Sequence, residues 1–192
     1  MLDFSHVFTV FPVLETARFR LRAFQEDDAP AIFRILSDQR VTRYFGSPPM
    51  SDPAAASRRV QRTQAAFAAH EGIRWAIVPR EGGAFIGSCG FWRLIPEHHR
   101  AEIGYELAPE WWGQGVMTEV LRAVVAYGFS TMRLHSAEAQ IHPDNTGSRR
   151  VLEKVGFMQE GYFRQSYYEP HNSEFTDAAV FSLLASEWQP PE

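Results

Sequence analysis

The sequence predicts an α/β fold in a single domain spanning residues 1–192: a mixed sheet, mostly antiparallel with a central parallel pair, flanked by about four helices. Three observations carry this. Stretches of alternating apolar and polar residues interleave with stretches of helical period, giving the order β-α-α-β-β-β-α-β-α-β-β. The strands before residue 109 follow one another through turns, as in an antiparallel meander, and the helix after them requires a crossover to a parallel strand. No internal repeat, low-complexity tract or Pro/Gly/Ser-rich linker divides the chain.

Each element has its own signal. "TARFRLRAF" (16–24) alternates apolar and basic residues, a half-buried strand. "EDDAPAIFRILSD" (26–38) opens with acids and a proline and then carries Ile32 and Leu36 at helical spacing. A loop at 44–52 leads to a second helix, capped by Asp52 and running to about His70. Residues 74–94 read as two strands about the Glu81-Gly82-Gly83 turn, and 100–109 as a central strand stopped by Pro109. Val116, Val120, Leu121, Val124 and Val125 form the apolar stripe of a long helix. A strand in 135–145 precedes a short helix, 146–157, closed by Gly156. Two last strands, near 158–164 and 177–184, flank an aromatic, polar loop.

Composition excludes several function classes. A formal net charge of −4 gives no bulk attraction to nucleic acid or an anionic membrane. No stretch is long and apolar enough for a membrane span, and the first residues lack a basic n-region with a long apolar h-region, so a cytoplasmic setting is expected. Cys89, the single cysteine, fits a reducing compartment and a buried apolar role. Lys154 is the only lysine among nineteen basic Lys and Arg residues, which argues against a lysine nucleophile. No zinc-ligand spacing occurs, so no metal is expected.

The chemistry concentrates at "WWGQGVMTEV" (111–120), where Gly113 and Gly115 open the long helix. Glycines there let a ligand approach amides that have no partner inside the helix, which makes an anion site; the alternative is a turn that needs glycine for its geometry alone. A phosphate loop ending in Gly-Lys-Ser/Thr is excluded by the missing lysine, and a dinucleotide fingerprint by Thr118 in place of its third glycine.

"AEIGYELAPEWWGQGVMTEVL" followed by "IHPDNTGSRRVLEKVGF" resembles the GCN5-related N-acetyltransferase superfamily (GNAT), and "LETARFRLRAFQEDDA" resembles its branch of ribosomal-protein N-terminal acetyltransferases. The resemblance implies acetyl-CoA as co-substrate, with Leu107, Trp112, Gly113, Gln114, Gly115, Val116, Met117, Thr118, Asn145, Ser148, Arg149 and Leu152 around it. Glu110 stands where the family often has Gln or Arg and is expected to point away from the diphosphate. Glu102 occupies a strand position where some members hold a general base, with a cross-strand pair to Arg93 or Arg100 as the structural alternative and a water relay as the chemical one. The helix position that carries a tyrosine for the leaving thiolate in many members is Leu152, and Ser148 matches the branch's serine instead. A glutamate favoured elsewhere in the branch is Tyr167 here. Tyr44, Phe45 and Tyr167, in segments read as loops, are candidate acceptor contacts.

The implied reaction needs a neutral amine. Deprotonating an α-amine at pH 7 costs roughly 1 kcal/mol, a lysine side chain about 4.6. Chiefly because of the branch resemblance, the preferred acceptor is a protein or peptide N-terminal α-amine, with a small-molecule amine (polyamine, amino acid, aminoglycoside) or a catalytically silent acyl-CoA-binding protein as alternatives. An open groove at 164–176 would suit a peptide, a closed acidic pocket a small cation. Exposed late strands make a homodimer plausible.

Overall fold

In the computed structural model, which describes residues 4–169, 171 and 173–190, the strands join into one eight-stranded sheet. In chain order they are β1 (Leu14–Glu15), β2 (Phe19–Arg22), β3 (Ile73–Pro79), β4 (Gly87–Ile95), β5 (Arg100–Leu107), β6 (Ser136–Ile141), β7 (Met158–Glu169) and β8 (Glu174–Leu184). They lie side by side as β1-β2-β3-β4-β5-β6-β8-β7, antiparallel throughout except for β5 and β6. The helices are α1 (Ala29–Leu36), α2 (Gln39–Thr42), α3 (Pro53–Ala68), α4 (Val116–Ser130) and α5 (Thr146–Val155).

Alternation along the strands sorts the two faces. Trp75, Phe91, Ile103 and Phe181 pack with the α4 stripe Val120, Leu121, Val124 and Val125 and with Leu152 and Val155 of α5. On the other face Ala76, Phe24 and Phe85 receive Ile32 and Ile35 of α1 and Val60 of α3. Within this packing Gly90, cross-strand from both Arg74 and Gly104, has no room for a side chain: a Cβ would lie 2.2 Å from the Ile73 carbonyl oxygen and 2.4 Å from the Arg74 Cα. Gly90→Ala should lower the unfolding free energy by about 2–3 kcal/mol, read as a thermal midpoint lower by roughly 5–10 °C.

Three local features differ from expectation. β1 and α2 are too short for periodicity to reveal; α2 exists because the Asp38 side chain caps it, accepting the Arg40 N–H at 2.8 Å. With α2 there are five α-helices among the described residues. The segment 164–176 is not simply a loop: β7 continues to Glu169 and β8 begins at Glu174, with Tyr167 paired to Thr176 and Tyr168 to Phe175. The Tyr168 and Phe175 rings meet at 5.0 Å, a cross-strand aromatic pair. A register shift between Phe163 and Tyr167, with Gln165 at φ 51°, interrupts the alternation and hides the strand in the sequence.

The feature that positions the site is a divergence. β5 and β6 pair only at Arg100↔Ser136, Ala101↔Ala137 and Glu102↔Glu138. Beyond that, β5 follows β4 to Leu107 and β6 follows β8 to Ile141, so a wedge opens in the middle of the sheet.

Candidate active site

The wedge exposes backbone. The Ala108 N–H donates to the Ile86 carbonyl at 2.8 Å across the β4 side. By antiparallel alternation Glu102, Gly104 and Glu106 bond toward β4, while Ile103, Tyr105 and Leu107 turn their amides and carbonyls to the wedge. The Leu107 carbonyl accepts the Trp112 indole N–H at 2.8 Å.

The start of α4 meets the same wedge. Gly113 (φ 74°) and Gly115 (φ 73°) both adopt the left-handed conformation, and the first bond within the helix is Glu119 N–H to Gly115 O at 3.1 Å. The amides of Val116, Met117 and Thr118 therefore have no acceptor within the helix. Arg18, just ahead of β2, braces the turn: its backbone N–H and its Nε reach the Glu119 carboxylate at 2.9 and 2.7 Å, and its Nη1 reaches the Gln114 carbonyl at 3.2 Å. The Gln114 side chain turns back to the Glu110 carbonyl at 2.7 Å, and Glu110 pairs with Arg34 at 2.6 Å.

A cleft of about 1100 Å³ follows from this turn. Of the residues singled out from the sequence, Leu107, Trp112, Gly113, Gly115, Val116, Met117, Thr118, Asn145, Ser148, Tyr44 and Phe45 line it. Leu152 does not, being fully buried between α5 and the sheet. Arg149 points elsewhere too, its Nη1 2.6 Å from Gln159 Oε1 and its guanidinium over the Phe181 ring. Tyr105, Arg150 and Lys154 also line the cleft. The signal for the last two was their i, i+4 spacing on one helix face. For Tyr105 it was alternation, which places it opposite Glu102 in facing.

On the α5 side the Asn145 side chain is the helix cap, accepting the Ser148 N–H at 3.0 Å. The Tyr105 hydroxyl donates to the Ser148 carbonyl at 3.2 Å, and burial pushes its phenol pKa up, so it remains a donor. Tyr44 stacks on His142 with ring centroids 5.0 Å apart, bridging the segment after α2 to the segment after β6.

Glu102 lies on the opposite face, at the vertex, as the last β5 residue paired with β6. Burial raises its carboxyl pKa, against the lowering effect of Arg93, whose Nη1 lies 3.0 Å away. Arg93 reaches it from a bulge of β4 with φ 45°. The cross-strand pair with Arg93 is thus present, while Arg100 pairs with Glu138 at 2.8 Å. Tyr167, on β7 rather than in a loop, shares this face, its hydroxyl donating to Gln140 Oε1 at 2.6 Å. Its phenol pKa is raised by burial and by the nearby Glu102 charge. Gly104 keeps the spot beside Glu102 clear: a Cβ there would sit 3.5 Å from an Arg74 nitrogen and 3.7 Å from the Trp92 indole nitrogen. The arrangement can therefore hold an extended anionic ligand on one face and present a carboxylate to its end from the other.

Comparison with known proteins gives a consistent result. Residues 18–158 match the family model for the acetyltransferase (GNAT) domain. Uncharacterized N-acetyltransferase YoaA of Bacillus subtilis is 42% identical over 175 residues, covering 91% of this chain and 98% of that protein. The ribosomal protein uS5-alanine N-acetyltransferase of Escherichia coli is 30% identical over 106 residues, 55% of this chain and 54% of that one. The crystal structure of a GNAT-family acetyltransferase from Bacillus anthracis matches with a TM-score of 0.82 and 27% identity, covering 92% of this chain and all of that one.

Proposed function

The chain belongs to the GNAT acetyltransferase family, and from that premise we propose that it transfers the acetyl group of acetyl-CoA to the α-amine at the N-terminus of a protein or peptide, in the cytoplasm. The observation that carries this reading is the wedge between β5 and β6, which opens just beyond Glu102 and carries Tyr105 and Leu107 of the cleft wall. Acetyl-CoA fits the residues present. The amides of Val116, Met117 and Thr118 can cradle its diphosphate, and Arg150 and Lys154 at the mouth supply cations for its further phosphate. The acetyl-bearing arm would then run beside β5, where an outward N–H of Tyr105 or Leu107 polarises the thioester carbonyl.

In the reaction the amine lone pair bonds to the thioester carbon, the C–S bond breaks, and one amine proton must leave. In this reading Glu102 takes that proton, directly or through water, a role supported by its raised pKa, which makes it a stronger base than an ordinary carboxylate. The departing thiolate is protonated from the α5 side, where the Ser148 hydroxyl belongs to the cleft wall. The choice of an α-amine is supported by its low deprotonation cost and by the E. coli relative, named as a ribosomal protein uS5-alanine N-acetyltransferase.

Calorimetric titration with acetyl-CoA, followed by turnover with alaninamide, spermidine and Nα-blocked lysine, tests the reading. Binding of acetyl-CoA and preferential acetylation of alaninamide are expected; turnover of spermidine alone would transfer the enzyme to small-molecule amines. Glu102→Gln should lower kcat/KM for alaninamide by about 100-fold and leave the acetyl-CoA Kd unchanged. The wild-type profile should fall on its acidic limb as Glu102 takes up a proton, above the usual carboxylate range, and that limb should vanish in the variant. Retained turnover in Glu102→Gln would assign the proton to a water relay.

A further inference from the structure

Beyond Glu102 the face of β5 that bears the carboxylate continues to Gly104, and β6 has already turned away there, so no paired strand borders the glycine on that side. On its other side Gly104 pairs with Gly90 of β4, and Gly90 with Arg74 of β3. With no side chain at Gly90, the Arg74 side chain crosses β4: its Nε donates to Ser88 Oγ at 2.7 Å and its Nη2 to the Glu106 carboxylate of β5. Its Nη1 has no acceptor among the described residues. Neither has the indole N–H of Trp92, the cross-strand partner of Glu102, which is 47% exposed. The two nitrogens flank the space above Gly104, lying 3.5 Å (Arg74 Nη1) and 3.7 Å (Trp92 Nε1) from the position that a Cβ would take. The charge beside this space is positive by one, because Arg59 and Arg74 share the single carboxylate of Glu106, whereas Arg93 and Glu102 balance one another.

We propose that Trp92 Nε1 and Arg74 Nη1 form an oxygen-binding subsite above Gly104, which holds the carbonyl oxygen of the N-terminal residue whose α-amine is acetylated. The proposal rests on the α-amine reading given above. Two unused donors beside an excess positive charge suit an oxygen acceptor, the guanidinium bond being charge-assisted. The same charge repels a second ammonium group, such as a polyamine would bring. The spacing fits an aminoacyl group. Positions 102 and 104 lie about 6.7 Å apart along the strand. The nitrogen and carbonyl oxygen of one residue are about 3 Å apart. One such group therefore reaches the Glu102 carboxylate with its amine and the two donors with its oxygen, a hydrogen bond at either end. The subsite reads the N–Cα–C=O unit that every polypeptide N-terminus carries, whatever its first side chain, and an amine without the carbonyl gives up both bonds.

The test compares alaninamide with isopropylamine, in which a methyl group replaces the carboxamide, as the ratio of their kcat/KM values. The change of this ratio between wild type and variant cancels the different basicity of the two amines. Gly104→Ala fills the subsite with a methyl group. Its φ lies outside the left-handed region and its nearest contact is 3.5 Å, so the variant should fold with a thermal midpoint near that of the wild type. The ratio should fall at least about tenfold, through the KM for alaninamide, because both hydrogen bonds are lost. Trp92→Phe keeps an aromatic ring and removes one donor, and the ratio should fall about fivefold. The acetyl-CoA Kd should be unchanged in both, since neither residue lines the cleft. An unchanged ratio in a folded Gly104→Ala, with alaninamide still acetylated by the wild type, overturns the subsite and keeps the α-amine reading. Faster wild-type turnover of free alanine than of alaninamide would give the donors to a carboxylate and overturn their assignment to a polypeptide carbonyl. Binding of acetyl-CoA without turnover of any α-amine overturns both the subsite and the reading beneath it.

Discussion

Gly115→Val should abolish acetyl-CoA binding, with a Kd at least about 100-fold weaker by calorimetry in a protein that still folds. Gly115 holds φ 73°, a region that costs a side-chain-bearing residue about 1–2 kcal/mol and a β-branched one more. The turn cannot relax cheaply, because Arg18 ties both Gln114 and Glu119 on either side of it and its Nη2 would lie 3.8 Å from the new Cβ. Rotating φ to relieve the strain swings the amides of Val116 and Met117 away from a common centre. Losing two charge-assisted hydrogen bonds at about 1.5–3 kcal/mol each reaches the stated loss. Gly82→Val is the control: φ is 97° there, no atom lies within 4 Å of a Cβ, and the turn is outside the cleft, so similar backbone strain should leave the Kd unchanged. Equal binding by wild type and a folded Gly115→Val would remove the diphosphate cradle from the proposed function.

Much of this site was legible because it depends on backbone. The left-handed turn and free amides at 113–118 follow from two glycines and a helix start, and alternation alone places Glu102 and Glu106 on one face of β5. What stayed hidden depends on partners distant in sequence. Tyr105 became a cleft residue only when β6 diverged and α5 came to lie against it, which no local pattern encodes. Leu152 and Arg149 were singled out by motif position, but helical phase decides: position 152 falls on the stripe with Val155 that faces the core, and 150 and 154 on the one that faces the cleft. β7 was legible only to its second register shift, since Gln165 at φ 51° shifts the phase of every later side chain. Tyr167, a candidate acceptor contact in the sequence, reads as a loop residue for that reason.

Glu106 accounts for how the wedge stays open, and its loss is the largest stability effect expected. The outer half of β5 has no β6 partner, so it lacks one of the two hydrogen-bond ladders that hold a central strand. Glu106 supplies other ties on that half: its carboxylate accepts Arg59 of α3 at 2.8 Å, Ser88 of β4 at 2.5 Å, and Arg74 of β3. Burial works to raise its pKa, but the two arginines and Ser88 overcome this and hold it at about 2. With an unfolded value near 4.5, the ionised group contributes about 3 kcal/mol above that pH, and the contribution is lost as pH falls through the folded pKa. Glu106→Gln leaves two guanidiniums, 25% and 22% exposed, facing an uncharged and almost fully buried amide, which should cost about 3 kcal/mol. The readouts are urea midpoints between pH 7 and pH 2: wild-type stability should fall steeply below pH 4.5, and the variant, already lower at pH 7, should fall less over the same range. Below its own midpoint of unfolding the variant should also bind acetyl-CoA more weakly, because Tyr105 and Leu107, which flank Glu106 in sequence, carry the amides that face the wedge. Parallel pH curves for the two proteins would show that the outer half of β5 is held by packing instead.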